Sequence, residues 1–144
     1  MENHLKEQCE ICGCHLHRSG GYAEPTPEGR SHASRHHCVA ERFFGRSKNR
    51  AGEIRKGIFD TCPWGAEGKS LTLCYDCHEE LIHNPVFLPE DIRIFADLVR
   101  DRGLKEIHKS EDRGPLAGRI ILMHEVISAG LNALMLGDES SKSG

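Results

Sequence analysis

Ser70-Leu71-Thr72-Leu73-Cys74-Tyr75-Asp76-Cys77-His78 is the stretch on which the fold turns. Polar and apolar residues alternate from Ser70 to Leu73, the period of a half-buried strand. The strand runs straight into Cys74-x2-Cys77, and Tyr75 to His83 then suits a short helix stopped by Asn84-Pro85. A Cys-x2-Cys pair sets two thiolates on one tight turn, and a second pair stands near the start of the chain as Cys9-Glu10-Ile11-Cys12. Four thiolates suit tetrahedral Zn²⁺, so Cys9, Cys12, Cys74 and Cys77 are read as one structural zinc site. Gly13 allows the positive φ that turns backbone amides toward sulfur, and Cys14 reads as a spare thiol.

The rest of the composition fits this reading. The chain has 144 residues, enough for one ordinary domain, with 38% hydrophobic and 28% charged residues. Seven cysteines is an odd number, and Met1 to Gln8 holds no apolar run of a secretory signal. Reduced, metal-bound cysteines in the cytoplasm are therefore expected rather than a disulfide framework. Ile120 to Leu136 approaches the length of a membrane span, but His124, Glu125 and Asn132 interrupt it, so no membrane partner is expected. A net charge of -3 excludes a generic polyanion binder, and any nucleic-acid affinity must be local.

Between the cysteine pairs, residues 18 to 33 are rich in Gly and Pro and read as loop. His32 to Val39 then suits a short strand carrying His36-His37, and His78 follows directly on the second cysteine pair. Glu41 to Lys56 is the one basic stretch: Arg42, Arg46, Lys48, Arg50, Arg55 and Lys56 stand against Glu41 and Glu53. Alone, it reads equally as a solvated face around two core phenylalanines, Phe43 and Phe44. Beside the histidine pair it reads as a phosphate-contacting segment, with Arg42, Arg46, Lys48 and Arg50 as the nucleic-acid contacts. Cys62 and Trp64 read as core fillers. Pro89 opens a helix with an Ile92, Phe95, Leu98, Val99 stripe, and Gly103 stops it. Pro115 opens a last helix, apolar on a broad face from Leu116 to Leu134, which must pack on the domain or on a second chain. Asp138 to Gly144 reads as a disordered tail.

Cys-x2-Cys, then His36-His37-Cys38-Val39-Ala40, then Leu71-Thr72-Leu73-Cys74-x2-Cys77-His78, resembles the zinc-stabilised branch of the HNH endonucleases, the ββα-metal nucleases. The likeness covers roughly residues 9 to 84. It implies that His37 is the general base, that His36 and His78 are ligands of a catalytic divalent ion, and that the substrate is DNA. That ion would be Mg²⁺, Mn²⁺ or Ni²⁺, with nitrogen ligands favouring the last two. Ala40 replaces the usual proline, and Lys69 stands where the family carries asparagine. Relatives often add a histidine four residues after the first helix ligand. Here His83 lies five after His78, which on an α-helix rotates it away, so it reads as a helix-end residue.

These readings combine into an α+β protein. Residues 1–88 form a ββα-metal finger clipped by a four-cysteine zinc site, residues 89–137 are C-terminal helices for packing or homodimerisation, and residues 138–144 are tail. The expected function is DNA phosphodiester hydrolysis, as nicking or double-strand cleavage. Two other readings stand beside it: a non-catalytic zinc module that binds nucleic acid, and a structural zinc protein binding a partner through its C-terminal helices.

Overall fold

Leu16–His17 (β1) and Ser31–His32 (β2) form a short parallel pair, with Leu16 beside Ser31 and His17 beside His32. This pair was not expected, because the loop between them carries no periodicity. It forms because Gly29 lets the loop pass against β1: a Cβ there would lie 2.5 Å from the Leu16 carbonyl carbon. Ser34–His37 (β3) and Ser70–Leu73 (β4) pair antiparallel, with Ser34 opposite Leu73 and His37 opposite Ser70. β4 is the strand expected from sequence, while β3 covers only the middle of the expected His32 to Val39, since His32 pairs in β2 and the chain bends at Cys38. A 3₁₀ turn, Glu41–Phe44, follows β3. The structure, a computed structural model, describes residues 7–45, 48, 50–54, 56–65, 68–108 and 111–143, with backbone alone from 138.

The helix after the second cysteine pair is present at Asp76–Ile82, but it is a π-helix, closed by i→i+5 bonds. Asn84 ends it, donating from its side chain to the carbonyls of Glu79 at 2.7 Å and Glu80 at 3.3 Å. Helix α1 spans Pro89–Asp101 and opens on its proline, and the Asp91 carboxylate caps the Leu88 amide at 2.9 Å. Helix α2 spans Gly114–Ser143. It runs through residues 138–143, read from sequence as tail: nothing in Asp138 to Ser143 breaks a helix, and its backbone continues the preceding turns.

One buried cluster holds the N-terminal half together: Cys9, Leu16, Leu73, Cys74 and Cys77, with Cys14 and Ala33 against it. Backbone bonds tie both cysteine knuckles to the strands around it. Glu10 donates its amide to the Thr72 carbonyl at 3.0 Å, and its carboxylate accepts the Thr72 amide at 2.7 Å. The Tyr75 amide donates to the hydroxyl of Ser31, itself buried, at 2.9 Å.

The helices attach by other means. A chain of edge-to-face rings runs Phe43–Phe59–Trp64–His124, with centroid separations of 5.7, 5.5 and 5.6 Å, and seats α2 on the segment after β3. Trp64, read from sequence as a core filler, is half-buried within this stack rather than part of the buried core. Arg102 pairs with Glu125 at 2.6 Å, and Arg119 reaches the Leu104 carbonyl and Glu106, both at 3.1 Å, locking α1 to α2. Val99 and Leu122 are buried. Beyond them α2 is bare: Leu131, Leu134, Met135 and Leu136 are 61–73% exposed. Gly114–Gly137 is long and apolar enough to cross a membrane by length and composition, with mean hydropathy 1.6 and only 6% of that window buried.

Three of the five members of the buried cluster are thiols of the proposed zinc clip. Metal binding and folding should therefore be one event in this half. Cys74→Ser should abolish stoichiometric zinc, and residues 9–83 should lose amide-exchange protection. Retained protection in a zinc-free variant would show that the apolar residues suffice.

Candidate functional site

Sγ atoms of Cys9, Cys12, Cys74 and Cys77 all lie within 4.8 Å of one another, and Cys12 to Cys74 is 3.9 Å. Tetrahedral Zn–S bonds of ~2.3 Å demand S···S separations of about 3.8 Å. The four cysteines can therefore bind a metal such as zinc. Gly13, at φ 81°, turns the chain where the Gly13 amide donates to the Cys9 carbonyl at 2.9 Å. Burial pushes the Cys9 thiol up, but backbone amides of Cys12, Cys74 and Ile11 outweigh it and bring it down to about 6. Burial and hydrogen bonds with Cys74, Cys9 and Cys12 push Cys77 up instead. So many crowded sulfurs can all ionise only around a cation. Cys14 stands outside the set: burial and the sulfurs of Cys12 and Cys74 push it up to about 12, a neutral spare thiol.

A second cluster joins His36, His78 and His83, whose ligand atoms also lie within 4.8 Å of one another. Ring centroids are 5.4 Å apart for His36–His78, 5.7 Å for His36–His83 and 4.6 Å for His78–His83. The sequence reading of His83 as rotated away is overturned here, and the reason is helix pitch. On an α-helix, five residues leave a partner about 140° around the axis. The wider π turn returns the fifth residue to the side of the first. No residue type in 78–83 announces that winding.

The hydrogen bonds around His78 define its tautomer. The Ser34 hydroxyl gives its proton to the Leu73 carbonyl at 2.9 Å, and the Tyr22 hydroxyl gives its own to Glu79 Oε1 at 2.8 Å. Both hydroxyl oxygens also lie 3.0 Å from His78 Nδ1. Each has spent its one proton, so Nδ1 must donate to them, which leaves Nε2 with its lone pair. Glu79 Oε2 is 3.5 Å from His83 Nδ1, the same arrangement for the second helix histidine. Burial lowers the pKa of His36, reinforced by His78, His83 and His37. Burial also lowers that of His78, with His83 adding to the effect and Glu79 opposing it. Both shifts favour the neutral, ligating imidazole near pH 7.

His37 lies beside this trio and not in it. Its Nε2 is 3.5 Å from Glu41 Oε1. Adjacent residues on a flat strand would face opposite ways, yet β3 ends at His37 and the chain bends at Cys38, so His36 and His37 line one cleft. That cleft, about 390 Å³ and open to solvent, is also lined by Arg35, Glu41, Arg42, Lys48, His78 and His83. Of the expected nucleic-acid contacts, Arg42 and Lys48 are there. Arg50 is exposed and not among its walls, and Arg46 lies outside the described residues. Lys69 is exposed ahead of β4 and does not line the cleft; its carbonyl accepts the Cys38 amide at 3.0 Å.

Sequence reasoning missed Tyr22, Ser34, Glu41 and Glu79 as supports of the histidines. Glu41 and Glu79 had a faint signal, four residues after His37 and four before His83. Tyr22 sits in a loop without pattern and had none. The buried His17 is a different kind of histidine. Its Nε2 meets the Glu24 carbonyl at 2.5 Å and its Nδ1 accepts the Gly20 amide at 3.2 Å, so both nitrogens are spent on structure.

Compared with protein-family models, curated proteins and solved structures, the chain matches none. The chemistry of the site therefore rests on the residues themselves.

If Tyr22 and Ser34 hold the His78 tautomer, Tyr22→Phe with Ser34→Ala should weaken Mn²⁺ or Ni²⁺ binding at the trio about 10–100-fold. Zinc content should stay unchanged. Calorimetric titration of the zinc-loaded protein measures both, and unaltered affinity would show that the hydroxyls do not orient the ring.

Proposed function

We propose that this protein is a metal-dependent endonuclease of the HNH kind, hydrolysing DNA phosphodiester bonds. The observation that carries the reading is the His36, His78, His83 cluster standing beside His37 in one cationic cleft. β3, β4 and the π-helix follow one another as strand, strand, helix, the order of a ββα-metal finger, and the cysteine clip packs beneath them.

The trio fits a divalent ion: three imidazoles, one with its tautomer set for ligation, and Glu79 partnering the two on the helix. Nitrogen donors favour Mn²⁺, Ni²⁺ or Zn²⁺ over Mg²⁺. A bound divalent ion supplies positive charge against the scissile phosphate and the leaving 3′ oxygen. The remaining work falls to the chain. Arg35, Arg42 and Lys48 hold flanking phosphates at the cleft walls. Glu41 faces His37 Nε2, which favours a proton on that nitrogen and leaves Nδ1 to take one from the attacking water. Water oxygen bonds to phosphorus as His37 takes its proton, the P–O3′ bond breaks with its electron pair on O3′, and O3′ takes a proton from solvent.

The test is nicking of supercoiled plasmid with Mn²⁺, Ni²⁺ or Mg²⁺, with and without chelator. His37→Ala should lose about 10²–10⁴-fold in rate while keeping zinc and divalent-ion binding. His36→Ala, His78→Ala and His83→Ala should each raise the metal concentration needed. A zinc-loaded wild type that binds duplex but cuts with no ion would leave the non-catalytic module as the better account.

The bare half of α2 supports a homodimer. His124 and Glu125 bind the start of the helix to Trp64 and Arg102 of its own chain, while Leu131, Leu134 and Met135 face solvent. A second copy could bury this face, and two active sites would convert nicks into double-strand breaks. Leu131→Glu with Leu134→Glu should give a monomer by light scattering that nicks but no longer linearises plasmid. A wild type that is monomeric at tens of micromolar would contradict the dimer.

A further inference from the structure

Next to the histidine cleft lies a larger groove of about 660 Å³. Three cations line it, Arg42, Lys56 and Arg113, one each from the 3₁₀ turn, the loop before β4 and the residue ahead of α2. The rest of its lining is apolar: Phe43, Ile58, Leu116 and Ile120. Among the described residues, no carboxylate lines it. Two acids adjacent in sequence to its arginines have other partners: Glu41 Oε1 lies 3.5 Å from His37 Nε2 in the neighbouring cleft, and Asp112 Oδ1 accepts the Gly114 amide at 2.9 Å.

Cations and apolar side chains lining one groove match a ligand with one anionic edge and one apolar face. A duplex backbone has the first and hides the second, since its base faces are stacked inside. An unpaired nucleotide has both: phosphate for the cations, base for the apolar side chains. The volume is within the range of small-ligand pockets, roughly 300–1,000 Å³. Arg42 belongs to the walls of both the groove and the histidine cleft, so one strand can pass from one to the other without leaving positive charge.

We propose that this groove holds an unpaired nucleotide of the bound strand beside the bond to be cut, so that the protein selects DNA with a gap, overhang or branch. This rests on the nucleic-acid reading of the neighbouring cleft. It goes beyond that reading by naming the substrate class, by giving Lys56 of the basic stretch a specific place and by assigning Arg113, which lies outside that stretch.

The test uses the full zinc-loaded chain as His37→Ala, so that DNA stays intact, and reads binding by fluorescence anisotropy. A duplex with a four-nucleotide gap is compared with the same duplex sealed. The gapped DNA should bind about tenfold tighter. Lys56→Ala with Arg113→Ala should erase that ratio and flatten the salt slope on gapped DNA by about 0.7 for each cation removed. Equal affinity for gapped and sealed DNA overturns the proposal, as does a ratio unchanged in the double variant. The ratio is read without cleavage, so the two readings fail separately. A wild type that cuts but shows no ratio defeats only the groove. A ratio without any cutting defeats only the nuclease.

Discussion

Four sulfurs within bonding range of one ion are the constraint on which this fold depends. Strands of two to four residues cannot bury much on their own, and the cluster they surround is made largely of the sulfurs themselves. A metal bound by these thiols would take the place that a larger apolar core fills in a domain of this size. The gathering of the four sulfurs also dictates topology. Cys9 and Cys12 come from the chain start and Cys74 and Cys77 from the end of β4, so the clip closes a long loop and delivers β3 to β4 with His37 opposite Ser70. Each knuckle carries its own consequence. The first bonds to Thr72 on β4, and the second launches the helix that bears His78 and His83.

Charge is arranged against the average. The chain carries a net charge of -3, yet both open grooves are walled by cations. Several acids are held by basic partners away from them, as in Arg30–Asp76, Arg93–Glu90 and Arg102–Glu125. Exposed pairs of this kind contribute little stability. They leave the positive charge of the two grooves less opposed than the net charge suggests.

Much of the N-terminal half was legible in sequence because its signals are local. Cys-x2-Cys spacing, alternation in Ser70–Leu73 and the prolines that open α1 and α2 each act over a few residues, and each marks an element that formed. What was illegible depends on pitch or on distant contact. His83 was assigned by α-helical arithmetic to the wrong side, and the π winding reversed that. Tyr22 reaches His78 across more than fifty residues of chain, from a loop whose own sequence has no period. The groove walled by Lys56 and Arg113 exists only because the aromatic chain from Phe43 to His124 seats α2 against the basic segment. The long apolar helix was legible as apolar, but its composition does not say which turns the domain covers.

The π-helix has a further consequence for how this site tolerates change. The five-residue interval between His78 and His83 and the wide turn are a matched pair, each useless without the other. Shortening the segment by one residue while letting it rewind as an ordinary α-helix would give a four-residue interval, and both imidazoles would again project from one side. Retaining the length but favouring tighter winding would swing His83 away from His36 and His78. The trio would then lose a member with every histidine still in place and the four cysteines undisturbed. Insertions, deletions and helix-stabilising substitutions between the two histidines therefore act on the site as strongly as replacing a histidine, and they do so through the pitch of the backbone alone.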